Sequence, residues 1–209
     1  MSLAFSISKF NRDRKWNIFQ NLFKFNKNSS ILDVGFNNEE YLESENYLEK
    51  HYPYLEKITA LGFAPADKFK KRYPKVKVIT YKGGKFPFQD KKFETCWSNA
   101  VLEHVGDEQA QILFLKEIKR VAKKSFLTTP NKYFPVEVHT RTPFLHFLLP
   151  KKIFDRYLKL IGKAWAADDY MNLLSIRDIR RLLKSANIKN YQIIKNKFLF
   201  FTLDFIIIF

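Results

Sequence analysis

One cysteine, six glycines and far fewer acids than bases mark this 209-residue chain before any motif does. A single Cys96 rules out an internal disulfide and fits a reducing compartment. It lies in the apolar run ETCWSNA, where a buried, inert thiol is expected. Scarce glycine leaves few points where backbone can pass close to a ligand, so each one is worth locating. No apolar run is long enough to cross a bilayer: the longest, 198–209, is broken by Asp204. The first residues, MSLAFSISKFNRDRKW, lack the apolar stretch of a secretion signal. A soluble, cytoplasmic protein is expected. No His, Cys or Asp cluster has ligand spacing, so no metal is expected. Repeats and Pro/Gly/Ser linkers are absent too. Residues 1–209 therefore read as a single domain, with 1–29 a helical lead-in and 132–172 a cap or lid.

What is abundant is hydrophobic residues at 46%, 22 of them phenylalanine, and positive charge, 37 Lys and Arg against 21 Asp and Glu. Such a chain can build a large core and is not disordered. The charge is lopsided: residues 110–209 hold 19 bases and 7 acids, the first 109 residues 18 and 14. A basic half favours anionic partners, whether nucleic acid, phosphorylated lipid or phosphosugar.

Strands and helices alternate along the chain. Strands are expected at 31–35 (ILDVG), 57–63 (KITALGF), 76–81 (VKVITY), 94–100 (ETCWSNA), 125–130 (SFLTTP), near 191–194 and at 198–208. Helices are expected at 39–51, 65–73, 107–124 and 175–186, the last opened by a capping-box pair, Ser175 and Asp178. This pattern means βαβ units and a doubly wound, mostly parallel α/β sheet. Ligands bind such sheets beyond the carboxyl ends of the strands. The places to look are therefore the turns after Gly35, Phe63, Tyr81 and Ala100. The turn Asp33-Val34-Gly35-Phe36-Asn37 has one glycine, and Asn37 tolerates a left-handed backbone. Glu39 either crowds an anionic ligand or sits in a helix's first turn.

ILDVG resembles the first motif of class I S-adenosylmethionine-dependent methyltransferases, whose loop usually reads Asp-x-Gly-x-Gly-x-Gly. FPFQDKKFETCWSNAVLEHV resembles the family's Pro-Phe, Phe-Asp, Ser-Asn and Glu-His elements, and KEIKRVAKKSFLTTPN the helix and strand that follow. The resemblance covers about residues 30–205 and is most specific over 86–142. It implies a seven-stranded Rossmann-like sheet whose last strand is antiparallel, and methyl transfer from S-adenosylmethionine. It assigns Asp33, Gly35, Phe36, Asn37, Gly62, Phe63, Gly83, Asn99 and Glu103 to the cofactor. His104 would lie beside the methyl group and the acceptor as a base or positioning group. Glu137 and His139, alternating on one face of an extended segment, would bind the acceptor, with His139 a second candidate for proton transfer.

Three departures predict weakened or lost cofactor binding. The loop keeps one glycine of three, Gly62 stands where the family has its ribose-binding acid, and Gly83 replaces a common Asp. The expected function is methyl transfer to a small-molecule or glycolipid-type acceptor. The alternatives are a non-catalytic binding protein on the same fold and, third, an RNA methyltransferase. Nucleic acid ranks behind a lipid-linked acceptor because no RNA-binding module is evident. The aromatic, lysine-bearing stretches 144–154 and 157–165 would form a lid with peripheral membrane contact, or a helical cap burying its own aromatics.

Overall fold

The computed structural model describes residues 3–137, 140–167 and 171–209, with side chains from residue 9 onward in the first helix. The elements, in chain order, are α1 (Leu3–Phe23), β1 (Ile31–Val34), α2 (Tyr47–His51), β2 (Ile58–Gly62), α3 (Asp67–Arg72), β3 (Lys77–Thr80) and β4 (Phe93–Asn99). There follow α4 (Glu108–Val121), β5 (Ala122–Pro130), α5 (Leu145–Leu148), α6 (Lys151–Leu160), α7 (Ile176–Ser185), β6 (Gln192–Phe198) and β7 (Phe201–Ile208). The seven strands form one sheet in the order β3-β2-β1-β4-β5-β7-β6. The β1–β2, β1–β4 and β2–β3 pairs are parallel and β6–β7 is antiparallel. This is the doubly wound, mostly parallel α/β architecture expected from the alternation, with the strand count the resemblance implied.

The chain divides into two compact units, 1–98 with 120–126, and 99–119 with 127–209. In the first unit β1 and β2 are buried along their whole length, as their unbroken apolar runs require. The lead-in helix α1 is part of this core. Phe19 is fully buried, with its ring 4.7 Å from Trp97 of β4 and 5.1 Å from Phe126 of β5. Trp97 and Phe126 themselves stack at 5.1 Å.

In the second unit, Ser175 caps α7 with the full reciprocal capping box to Asp178. Ile179, Leu182 and Leu183 form its buried face. The β6–β7 pair is a hairpin with a register shift at Asn196/Lys197. Within the stretch read as a cap, α6 buries Phe154 and Leu158 against Ala166 and Ala167.

Several boundaries differ from the sequence pattern, among them β6, which runs on to Phe198, β7, which starts at Phe201, and two helices. The helix expected over 39–51 is confined to Tyr47–His51, because Asn46 adopts a left-handed backbone at φ 45° and holds the preceding loop. The helix expected over 107–124 ends at Val121, and the chain enters β5 directly at Ala122, whose carbonyl accepts from Lys91 Nζ at 2.8 Å.

Phe19→Ala removes the ring that α1 seats on β4 and β5, so a loss of about 3–5 kcal/mol in unfolding free energy is expected by denaturant titration. A loss under about 1 kcal/mol would mean that α1 is a dispensable appendage.

Candidate active site

In the first unit, β1 ends at Gly35, whose φ of 102° belongs to glycine and whose N–H donates to Leu61 O at 2.9 Å. Phe36 then turns inward onto Phe69, with ring centroids 4.5 Å apart. A β-carbon at Gly62 would lie 2.7 Å from Phe36 Cε1 and 2.9 Å from Cδ1. The acid missing from the end of β2 is thus sterically excluded by Phe36.

Two asparagines hold the turn with side-chain hydrogen bonds. Asn46 accepts from Asn37 N and donates to Asn37 O, both at 2.8 Å, clasping the turn. Asn38 Oδ1 accepts from Lys68 N and Phe69 N at 3.0 and 3.1 Å, capping the start of α3. Glu39 is turned outward to Lys68 at 2.6 Å, in an irregular segment and not a helix. Burial disfavours an ionised Glu40, but hydrogen bonds from Tyr73, Asn46 and Lys50 outweigh it and hold the carboxyl below its usual range.

Beyond β2, Phe63 is 62% exposed and stacks on Tyr81 at 5.2 Å with planes 9° apart. After β3 the chain turns through Gly83 and Gly84 at φ 89° and 78°. An aspartate at 83 would be strained there, which accounts for the third departure.

Asp33 does not face outward. It is buried in β1 beside Glu49 of α2, and the two carboxyls are hydrogen-bonded to each other. Burial pushes Asp33 up to about 7. Burial, and then the neighbouring Asp33 charge, push Glu49 well above the usual carboxylate range.

In the second unit, the chain leaves β4 through Asn99 and Ala100, and a 3-10 turn spans Leu102–His104. Thr128 Oγ1 donates to Asn99 Oδ1 at 2.7 Å, which fixes the amide and leaves its NH2 as the remaining donor pair. Glu103 is 0% exposed. Its Oε2 accepts from Thr129 Oγ1 at 2.9 Å, while Oε1 is buried and has no partner. Its backbone carbonyl accepts from Asn172 N at 2.7 Å, and Asn172 Nδ2 donates to Gly106 O at 2.8 Å. His104, the next residue, is half-buried.

The structure therefore brings together Gly35, Phe36, Asn37, Gly62, Phe63 and Gly83 in one unit, and Asn99, Glu103 and His104 in the other. Glu137 is 2% exposed and braces its own loop by accepting from Thr140 N, while its backbone pairs with Thr142 and Arg141. His139 lies outside the described residues. Among the described residues no three His, Cys, Asp or Glu side chains gather as a metal site.

Sequence reasoning missed Asn38, Asn46, Glu49 and His146. His146 is buried in α5 near backbone groups of Lys132, Phe134 and Thr142, and burial lowers its pKa. A histidine alone in the apolar run FLHFLLP was the available signal for it.

The acid pair sets a pH dependence. Asp33 is raised from 3.8 to about 7, so the fold binds a proton the unfolded chain has released. Stability falls as pH rises through that window, by up to about 1.4 kcal/mol per pH unit for one proton. Glu49→Gln removes one buried acid, so its melting temperature between about pH 5 and pH 8 should fall less than that of the unmodified protein. Equal falls in both would show that the pair is not the source.

A methyltransferase-domain family model matches residues 32–125. No curated protein matches the chain. Among solved structures, an S-adenosylmethionine-dependent methyltransferase from Aquifex aeolicus superposes with a TM-score of 0.58 at 16% identity, over 93% of this chain and 87% of that one. One from Methanosarcina mazei gives 0.57 at 15%, over 91% and 95%. A phosphoethanolamine N-methyltransferase from Haemonchus contortus, in complex with phosphomonomethylethanolamine and S-adenosylhomocysteine, gives 0.56 at 10%, over 87% of this chain and 38% of that one. Residues 32–125 thus match the methyltransferase domain, and the chain carries the class I S-adenosylmethionine-dependent methyltransferase fold.

Proposed function

We propose that this protein binds S-adenosylmethionine and transfers a methyl group to a small-molecule or lipid-linked acceptor. The observation that carries the reading is Glu103, fully buried with one carboxylate oxygen held by Thr129 and the other without a donor. An unpaired buried acceptor costs about 1–3 kcal/mol, more when charged. It suits a ligand that brings a cationic N–H donor, and the ammonium of the cofactor is such a group.

Each unit, taken by itself, offers further groups that suit such a ligand. Phe63 offers an exposed aromatic surface for a purine to stack on, braced from behind by Tyr81. The NH2 of Asn99 is a fixed donor. When bound, S-adenosylmethionine supplies an electrophilic methyl on a sulfonium centre. His104 is assigned to accept the proton that an acceptor hydroxyl or amine must lose. With no carboxylate at Gly62 to receive ribose hydroxyls, affinity should be lower than that of a chain with the acid, at about 1.5–3 kcal/mol per charged hydrogen bond.

A second reading, a non-catalytic binding protein on this fold, is favoured by one observation: Phe36 bars any acid from position 62. Calorimetry of the purified protein with S-adenosylmethionine and S-adenosylhomocysteine tests both readings. Saturable binding is expected, weakened about 5–150-fold by Phe63→Ala. Absence of both heat and thermal shift at millimolar ligand would overturn the assignment. Binding without turnover on any acceptor would support the second reading.

A further inference from the structure

The segment 141–167 carries six cations, Arg141, Lys151, Lys152, Arg156, Lys159 and Lys163, and one carboxylate, Asp155. That carboxylate pairs with Lys151 at 3.0 Å. Helix α6 buries Phe154 and Leu158, which fixes the face it turns to solvent. At about 100° per residue, Lys159, Lys152 and Arg156 fall on one arc of that exposed face and Leu160 and Ile153 on the next. Leu160 is 86% exposed and Ile153 49%. The apolar exposure continues on both sides of the helix, with Leu148 before it and Ile161 and Trp165 after it.

Exposed aliphatics beside a row of cations are poor design for a free surface, which would place polar groups there. They are also wrong for a nucleic-acid groove, which needs the cations but gains nothing from leucine and isoleucine. The combination matches the boundary of an anionic bilayer. There, Lys and Arg heads reach lipid phosphates while leucine, isoleucine and an indole enter the acyl edge. No helix among the described residues is long and apolar enough to cross a membrane, so the contact is peripheral.

We infer that the exposed face of α6, with Leu148, Ile161 and Trp165 at its ends, docks on the surface of an anionic lipid bilayer. The occupant is set by two features together: positive charge with one acid in the segment, and apolar side chains among those charges. The inference does not rest on methyl transfer, and a protein that fails to bind the cofactor could still dock.

Tryptophan emission of the 209-residue chain gives a direct readout. Of its three tryptophans, Trp16 and Trp97 are buried and Trp165 is 54% exposed, so a shift on docking reports on this face. Vesicles of phosphatidylcholine alone and of phosphatidylcholine with phosphatidylglycerol are compared, with co-sedimentation in parallel. A blue shift and sedimentation with the anionic vesicles alone are expected, both weakened by salt. Lys152→Gln/Arg156→Gln/Lys159→Gln should lose about 100-fold in vesicle affinity. Ile153→Ser/Leu160→Ser should lose about tenfold or more. Trp165→Phe should still sediment but lose the shift.

The inference is overturned if the unmodified protein ignores anionic vesicles, or if both sets of surface substitutions leave binding unchanged. It is also overturned if Trp165→Phe keeps the shift, since another region would then be docking. Binding to single-stranded RNA without binding to vesicles would assign the cations to nucleic acid instead.

Discussion

Phe36 leaves the turn after β1 and places its ring where any side chain at the end of β2 would have to stand. Much of the local geometry follows from that contact. With the ring tucked onto Phe69, the turn cannot be the open glycine loop of the wider family. It is closed by side-chain amides, Asn46 across Asn37 and Asn38 onto the start of α3. Glu39 is drawn outward to Lys68, so the carboxylate that seemed able to repel a ligand is already neutralised by a partner. The glycine at 62 and the phenylalanine at 36 are one adaptation seen from two sides.

The β4 exit in the second unit follows a different logic. Successive threonines of β5, Thr128 and Thr129, each donate a hydroxyl to a polar group at that exit, Asn99 and Glu103. Both acceptors are thereby oriented before any ligand arrives, which lowers the ordering cost of binding. The first unit carries an exposed aromatic surface beyond β2, and the second a buried acid with one unpartnered oxygen.

Much of the architecture was legible because it rests on local patterns. The buried strands 31–34 and 58–62 are unbroken apolar runs, and Ser175 with Asp178 announced the start of α7. The residues around Asn99, Glu103 and His104 could be singled out because their motif is contiguous. What escaped depends on contacts between distant positions. Gly62 and Gly83 read as lost acids, whereas one is sterically dictated by Phe36 and the other by a left-handed turn. The short α2 could not be foreseen, because Asn46 breaks a helical pattern only by bonding to a loop nine residues back. The tie of Glu137 to Thr140 within its own loop has no signal in the sequence. The lead-in helix was visible as a helix, but its aromatic seat on Trp97 and Phe126 was not.

The dependence of β2 on Phe36 can be measured by a double-mutant cycle in denaturant. Gly62→Ala should destabilise the unmodified protein by about 1–3 kcal/mol, since its β-carbon overlaps a ring that Phe69 holds in place. In a Phe36→Ala background the same change should be neutral or slightly stabilising, because alanine is otherwise the better strand residue. Non-additivity of that size and sign is the predicted result. Additive effects, with Gly62→Ala equally harmful in both backgrounds, would contradict the account.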